Sequence, residues 1–395
     1  MSRLSTALAG LRVLDLSQGI AGPYCASVLQ QQGADVIKLE PPGGDWARKM
    51  GFAPVTGLTA PVIACNSGKR SICLDLRKPE GMATARRLAS RADVVVQSFR
   101  PGVADRLGLG AEALRAADPR LIYVSISGFG SDGPLADVPA TDTVMQAMTG
   151  MMVANGDEAG HPRRIGLHVA DIATALYAAQ MTTAALLRRE REGVGEHVEV
   201  SLLQACASFQ STAIVDNALR AGGDASVSSG ASSVPGGVFP TVDGFISLAI
   251  GNDAMFASLC EVLGLHAWRS DARFATMASR LPHASELNAA TAGCLKRQTS
   301  AWWAERLRQH GVLHAEVLGY AQLAEHPQSR QQEIFGQLEQ PGIGVLPFAR
   351  HPSADPDAVV APVPGVGADN GIVLAEAGFS DEEQAELRAA GALVD

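Results

Sequence analysis

One aspartate stands at the start of the most apolar helical stretch of this 395-residue sequence. Asp171 precedes IATALYAAQMTTAALL, a run that predicts a helix buried within a core. An aspartate in this place is typical of a helix N-cap, whose side chain accepts hydrogen bonds from the first-turn amides. The positive end of a helix also stabilises an ionised carboxylate, and an ionised carboxylate can act as a nucleophile. A capping role and a catalytic role therefore both remain open for Asp171.

A cluster of basic residues lies between positions 69 and 106 of a chain whose formal net charge is −9. Guanidinium and ammonium groups bind phosphate oxygens by charge-assisted hydrogen bonds, so the cluster could hold an anionic ligand against the overall field. An ordinary solvated surface is the alternative interpretation. The negative net charge argues against a general attraction to nucleic acid or to an anionic membrane. The cluster consists of Lys69, Arg70, Arg77, Lys78, Arg100 and Arg106.

Several other motifs are incomplete. Arg70 follows Gly68-Lys69 where a P-loop needs Ser or Thr, and SQGIAGP after the first predicted strand lacks the G-x-G-x-x-G pattern of dinucleotide sites. His310 and His314 are four residues apart but carry no H-E-x-x-H pattern, so we expect no metal site.

Cysteine spacing and hydropathy bear on the cellular compartment. The six cysteines form no C-x-x-C pair, which argues against both a zinc site and a disulfide framework and favours a reducing cytoplasm. The N-terminus is too polar for a secretory signal, and no run of about 18 apolar residues exists. We therefore expect a cytoplasmic protein without a membrane span.

The elements that must position these residues alternate between strands and helices. Strands are predicted at 11–16, 36–39, 71–76, 94–97, 121–127 and 197–200. Helices are predicted between them, with longer ones at 141–152, 171–189 and 202–219. This order predicts an α/β fold with a doubly wound parallel sheet.

The composition changes at residue 221. The stretch 221–237 is rich in glycine and serine and predicts a linker. Beyond it we predict a strand at 245–250 and helices at 253–263, 300–309 and 381–390.

Several motifs together resemble the class III CoA-transferase family, the group that includes formyl-CoA and carnitine CoA-transferases. The resemblance covers nearly the whole chain and is strongest in the first 200 residues. The motifs are LRVLDLSQGIAGPYCASVLQQQGADVIKLEPPGGD (11–45), NSGKRSICLDLRKPEG (66–81), ADVVVQSFRPGVADRLGLG (92–110), SISGFGSDGPLADVPATDTVMQAMTG (125–150), the Asp171 helix and FPTVDGFISLAIGND (239–253).

The resemblance implies a layout for the chain. It predicts a large Rossmann-like, CoA-binding domain formed by 1–220 together with a C-terminal return at 331–395. A smaller inserted α/β domain is expected at 225–330. Family members form homodimers of two interlocked, ring-like chains, and we expect the same here.

The resemblance also implies site residues. Asp171 matches the family's catalytic aspartate, which forms a mixed anhydride and then an aspartyl-CoA thioester. CoA enters and leaves as part of the substrates, an acyl-CoA donor and a carboxylic acid acceptor, so no permanently bound cofactor is expected. The expected CoA-binding residues are Gln18, Gly19, Ile20, Ala21, Lys69, Arg70, Ser98, Arg100 and Arg106. The expected acid-binding residues are Asp142, Arg164, Gly236 and Gly237, with 230–237 as a candidate lid.

Three departures from family patterns shape the functional hypothesis. Ile20 stands where some members have glutamine, which argues against a formyl-CoA transferase, and Ala170 replaces the glycine of the family's Gly-Asp. Thr141 occupies the position of the histidine base of the related acyl-CoA racemases, and His168 stands at a different motif position. We therefore favour a transferase over a racemase. A non-catalytic CoA-binding protein, which would not need Asp171, is the alternative from another class.

The acids are suggested only by two arginines shortly before the catalytic position. Arg163 and Arg164 could bind the distal carboxylate of a dicarboxylic acid, although simple surface exposure explains them equally well. On the first interpretation the acceptor is a dicarboxylate such as succinate, itaconate or malate, with succinyl-CoA as donor.

Overall fold

The chain folds into two units, each with its own sheet. The computed structural model describes residues 4–157, 159–219 and 233–394. One unit comprises Met1–Met152, Arg164–Ser211 and Pro327–Asp395, and the other comprises Val153–Arg163 and Thr212–His326. The predicted division between 220 and 225 lies outside the described residues, as does most of the predicted linker, and it stays a prediction.

A six-stranded parallel sheet forms the centre of the first unit, which confirms the predicted α/β class. The strands are β1 (Arg12–Asp15), β2 (Asp35–Glu40), β3 (Arg70–Cys73), β4 (Val94–Gln97), β5 (Ile122–Ser127) and β6 (His197–Ser201). Their order is β3-β2-β1-β4-β5-β6, and every neighbouring pair is parallel. The order reverses between β1 and β4, the place where doubly wound sheets bind their ligands.

Helices cover both faces of this sheet, because strands of a parallel sheet are apolar on both sides. On one face, a core that includes Val13, Val94 and Val124 lies between the strands and helices α1 (Ala21–Gln31) and α8 (Val169–Glu192). Up to residue 219 the described helices are α1 (Ala21–Gln31), α2 (Ala60–Asn66), α3 (Pro79–Ala89), α4 (Val103–Arg106), α5 (Ala111–Ala117), α6 (Asp142–Met148), α7 (Met151–Ala154), α8 (Val169–Glu192), α9 (Leu202–Phe209) and α10 (Ser211–Leu219).

Three predicted helices have different boundaries in the structure. The predicted helix at 141–152 is interrupted at Gly150, whose φ is 85°, and becomes α6 and α7. The predicted helix at 202–219 is divided at Gln210 into α9 and α10. Helix α8 begins two residues before Asp171 and ends at Gly193, whose left-handed conformation is a common helix stop.

The second unit has a three-stranded antiparallel sheet in the order β7-β8-β9, packed against helices around its own core. The predicted strand at 245–250 and the helices at 253–263 and 300–309 are confirmed within one residue. The elements are β7 (Gly236–Pro240), β8 (Phe245–Ala249), α11 (Asp253–Leu263), α12 (Met277–Arg280), α13 (Ala284–Leu295), α14 (Ser300–Gln309), β9 (Leu313–Glu316) and α15 (Tyr320–Glu325).

One arginine lies at the centre of the second unit. Arg280 is fully buried, and its guanidinium donates to the Val234 and Phe274 carbonyls and to Asp253. Its charge is thereby paired and its donors are satisfied, as burial of a guanidinium requires.

The C-terminal segment belongs to the first unit and completes the second face of its sheet. There a core that includes Leu14, Val95 and Tyr123 takes in Val373, Leu374 and Leu387. The elements are α16 (Pro327–Gln331), the antiparallel pair β10 (Phe335–Gln340) and β11 (Gly344–Ala349), α17 (Asn370–Glu376) and α18 (Asp381–Ala389).

Neither a disulfide nor a membrane helix contributes to the fold of the described residues. All six cysteines are buried, and none of them forms a disulfide. Of the helices between residues 4 and 394 that the structure describes, none combines the length and apolarity that a membrane crossing needs.

Candidate active site

A cavity of about 730 Å³ opens at the carboxyl ends of β1, β4 and β5, at the point where the strand order reverses. The loops after these strands and the first turns of α1, α6 and α8 surround it, all within the first unit. The structure brings eight of the predicted site residues together around this cavity. They are Gln18, Ile20, Ala21, Ser98, Arg100, Asp142, Arg164 and Asp171.

Asp171 is the third residue of α8 and does not cap it, so the N-cap interpretation is wrong. The N-cap residue is His168. Among the described residues, no hydrogen-bond donor contacts the half-buried carboxylate of Asp171. Burial, followed by the nearby charge of Asp142, raises its pKa to about 7. A carboxylate that borders a cavity and has no donor within the described part of the chain is available to react with a ligand.

The cap of α8 comes from another helix. Asp142, the first residue of α6, is buried, and its Oδ1 accepts a hydrogen bond of 3.1 Å from the backbone N–H of Ala170. Its Oδ2 accepts one of 2.8 Å from Nε2 of Gln146, which also donates to the carbonyl of Leu167. These bonds tie α6 to the segment that leads into Asp171. Asp142 was predicted to bind the acid, but its oxygens are occupied by these protein donors.

Buried charges hold the loop between β1 and α1 in place. The ammonium of Lys38 lies 3.0 Å from Asp45, whose carboxylate accepts the backbone N–H of Gly19. Lys69 lies 2.8 Å from Asp15. Burial alone would raise the pKa of Asp15, but Lys38 and Lys69 hold it below its ordinary value. The backbone of residues 17–20 at the rim of the cavity therefore rests on a paired and fully buried network.

Comparison with known proteins agrees with this geometry. The model of CoA-transferase family III matches residues 8–370. The chain belongs to CoA-transferase family III. It is 35% identical over 384 residues to a succinate–glutarate CoA-transferase of Agrobacterium fabrum, which covers 93% of this chain and 95% of that relative. It is 36% identical over 332 residues to an acetyl-CoA:oxalate CoA-transferase of Acetobacter aceti, covering 82% of this chain and 84% of the relative.

A solved structure supports the same assignment. A CAIB/BAIF family protein from Brucella suis superposes with a TM-score of 0.84 at 33% identity, covering 94% of this chain and 100% of that chain. The chain is thus an enzyme, a CoA-transferase whose family uses CoA thioesters as substrates.

Two residues of this family III enzyme that were predicted to bind CoA instead form hydrogen bonds within the protein. Lys69 is buried, and its ammonium donates to Asp15, Asn66 and the carbonyl of Pro23 at 2.8–3.0 Å, which leaves no proton for a phosphate. Arg70 begins β3, on the edge of the sheet, and its guanidinium donates to Asp35 and Glu376. Neither side chain borders the cavity.

The other two basic residues that were predicted to bind CoA lie at the protein surface. Arg100 and Arg106 are exposed, and among the described residues no carboxylate pairs with either guanidinium. Arg100 borders the cavity, and Arg106 ends the short helix α4. Both can still offer their donors to a phosphate.

The two predicted glycines lie in the other unit. Gly236 and Gly237 begin β7. Residues 230–232 of the candidate lid lie outside the described residues.

Sequence reasoning missed several residues of the CoA-transferase cavity. Trp46 and Met50 border it, as does the ring of Phe99. Trp46 packs on Gly19, where an added Cβ would lie 2.3 Å from the indole, and Gly19 has a φ of +84°. The sequence gives little indication of a role for Trp46, because a half-exposed tryptophan after a Pro-Gly-Gly turn has no characteristic spacing. His168 was noticed but was given no role.

The described residues contain no group of three or more His, Cys, Asp or Glu side chains that is arranged to hold a metal ion. His314 Nδ1 lies 2.7 Å from the carbonyl of Val312, and His310 Nδ1 lies 2.8 Å from that of Arg306.

The raised pKa of Asp171 predicts a pH-dependent stability. The pKa is about 7 in the folded chain against 3.8 for an ordinary aspartate, so the folded state binds the proton more tightly and loses stability as the pH rises from 3.8 toward 7. Above pH 7 the full deficit remains. Asp171→Asn removes the charge and is expected to increase the free energy of unfolding at pH 8 by on the order of 2 kcal/mol, after allowance for solvent screening. The melting temperature at pH 8 should rise accordingly. At pH 5 the gain should be smaller.

Thermal unfolding at both pH values measures this difference. Asp357→Asn, which removes an exposed loop carboxylate, is the matched control and should leave the melting temperature nearly unchanged at both. An Asp171→Asn gain of the same size at pH 5 and pH 8 would contradict the assigned electrostatics.

Proposed function

We propose that this enzyme transfers CoA from succinyl-CoA or a similar acyl-CoA to a free dicarboxylic acid, with Asp171 as the nucleophile. The observation that carries the proposal is the Asp171 carboxylate, which borders the cavity at the reversal of strand order and has no donor among the described residues. Because its pKa is about 7, a large fraction is ionised at neutral pH and can attack.

The proposed reaction proceeds in two symmetrical halves. The Asp171 carboxylate attacks the donor thioester carbonyl, expels the CoA thiolate and forms a mixed anhydride. The thiolate then attacks the aspartyl carbonyl and expels the donor carboxylate, which leaves an aspartyl-CoA thioester. The acceptor carboxylate attacks this thioester, and the same steps run in reverse. Each bond formed replaces one broken, and no net proton transfer is required.

Backbone groups at the start of α1 support the transition states of these steps. The N-cap residue Ile20 provides no side-chain hydrogen bond, so the first amides of α1 are not capped by it. Ile20, Ala21 and Gly22 border the cavity. Amides in this position can donate to an oxyanion that develops on the thioester or anhydride.

The proposed path of CoA follows the loops after β1 and β4. Ser98 Oγ accepts the backbone N–H of Gln18 at 3.1 Å and joins the two loops. A second cavity of about 440 Å³ shares residues 99–101 with the first, so Arg100 borders both cavities. Arg100 and Arg106 are the guanidinium groups available for the CoA phosphates.

A racemase is less well supported. Thr141 stands at the position of the racemase histidine, and its hydroxyl accepts the backbone N–H of Val144 as the cap of α6. That position therefore supplies no second base.

A dicarboxylate acceptor is supported by one arginine and by the relatives' names. Arg164 borders the cavity that contains Asp171, and its Nε donates to the carbonyl of Ile165. Its other guanidinium nitrogens remain available to a distal carboxylate. Succinate, glutarate and oxalate in the names of the two relatives are all dicarboxylates.

Replacement of Arg164 tests this substrate class. With succinyl-CoA as donor, wild type is expected to use dicarboxylates such as glutarate, malate or itaconate. Arg164→Gln should raise the KM for the dicarboxylate about 10- to 100-fold, the value of a charged hydrogen bond, and leave slow transfer to a monocarboxylate unchanged. Steady-state assays over a panel of acids give both quantities.

Arg163→Gln is the matched control, because Arg163 is adjacent in sequence but does not border the cavity. It should keep the wild-type KM. Equal effects of the two substitutions, or no turnover of any dicarboxylate by the wild type, would contradict the proposed acid specificity.

We further propose a homodimer, which the family resemblance implies as a pair of interlocked rings. Apolar side chains on the outer faces of α6, α8 and α9 are exposed in the isolated chain, to between 41% and 57% of their surface. Exposed apolar groups of this extent mark interaction surfaces. They are Val144, Met148, Leu176, Leu187 and Phe209.

Sedimentation velocity tests the dimer. Wild type should sediment at twice the chain mass of 41.1 kDa. Leu187→Glu should shift the equilibrium toward the monomer, because a charge would be buried in the interface. Arg191→Gln, on the exposed end of the same helix, should not. A wild-type species of 41.1 kDa at micromolar concentration would contradict the proposal.

A further inference from the structure

A histidine ring shares the cavity with Asp171. His168 borders the cavity and precedes Asp171 by three residues, which places both at the same side of the first turn of α8. The ring is half-buried, and among the described residues it has no hydrogen-bond partner. It also makes no capping bond to the helix that it begins.

The hydrogen bonds at the start of α8 explain why the His168 ring has no hydrogen-bond partner among the described residues. A residue at the N-cap position ordinarily satisfies first-turn amides with its side chain. Here the Ala170 amide is satisfied by Asp142 from α6, and the Leu167 carbonyl accepts from Gln146. The imidazole of His168 is therefore left to face the cavity.

We propose that His168 is a second catalytic residue of the transfer, whose ring N–H donates a hydrogen bond to the reacting carboxylate of the acid. This inference rests on the proposed function of Asp171. The acid's carboxylate leaves when the thiolate attacks the aspartyl carbonyl of the anhydride, and it takes the electron pair of the broken C–O bond. In the second half-reaction it is the attacking group. The ring stabilises the negative charge at that oxygen in both directions, and its proton stays on the ring.

The cavity needs such a donor because two carboxylates must meet in it. The charged side chains that border it with His168 are Asp171 from the same helix, Asp142 from α6, Arg164 from the preceding segment and Arg100 from the loop after β4. Arg164 is assigned to the distal carboxylate and Arg100 to CoA. Beneath the site, burial raises the pKa of the Cys206 thiol to about 11, so this group does not titrate near neutral pH.

The proposal predicts that kcat depends on a hydrogen-bond donor at position 168. His168→Gln keeps a side-chain donor, whereas His168→Phe keeps a ring and removes the donor. Because the donor acts on charge at the reacting oxygen, its loss should lower kcat more than it changes the KM for the acid.

The experiment measures kcat and the KM for the acid between pH 6 and pH 9 for three variants. His168→Phe should lower kcat about 10- to 100-fold at pH 7, the value of a charged hydrogen bond, and His168→Gln should restore part of this loss. His161→Gln is the matched control, because His161 is exposed and does not border the cavity, and it should behave as wild type.

Two results would overturn the inference. One is a His168→Phe enzyme with wild-type kcat throughout the pH range, and the other is a His168→Gln enzyme that is as slow as His168→Phe. Asp171→Asn separates this failure from that of the proposed function. If wild type transfers CoA, Asp171→Asn does not, and His168→Phe does so at the wild-type rate, only the role of His168 is wrong. A wild-type chain that transfers no CoA overturns both.

Discussion

The carboxylate of Asp142 accepts the backbone N–H of Ala170 at 3.1 Å, and this bond caps the helix that carries Asp171 from outside the helix itself. Because the cap is supplied by α6, neither His168 nor Asp171 has to satisfy first-turn amides. Both side chains remain available at the cavity. Burial raises the pKa of Asp171 to about 7, and the charge of Asp142 adds to this effect, so one residue contributes to both the position and the pKa of the proposed nucleophile.

This arrangement costs stability, and the remainder of the first unit offsets it. Two carboxylates near one another in a half-buried site favour the unfolded state at neutral pH. Around them lie the apolar cores on both faces of the sheet and a buried network in which Asp15, Lys38, Lys69 and Asp45 satisfy one another. The network holds the loop after β1, which forms part of the cavity lining.

Local sequence patterns predicted the elements well and the use of polar side chains poorly. The six strands and their parallel pairing followed from the alternation of short apolar runs with helices. The capping of α8 could not be predicted, because its partner lies 28 positions away from Ala170. The prediction that Lys69 binds CoA was wrong for the same reason, because its carboxylate partner Asp15 is 54 positions away in the sequence. A charge run does not indicate which side chains turn inward. The family resemblance singled out Asp171 as the catalytic residue, and the structure places it at the cavity, while its catalytic role stays a prediction.

The most direct test is the mass of the peptide that contains Asp171 after the enzyme has been incubated with succinyl-CoA, without acceptor, and quenched in acid. If Asp171 is the nucleophile, part of this peptide carries a CoA or succinyl adduct that hydroxylamine removes, and the peptide of Asp171→Asn carries none. An unmodified Asp171 peptide in an enzyme that transfers CoA, or an adduct on a different carboxylate, would contradict the mechanism.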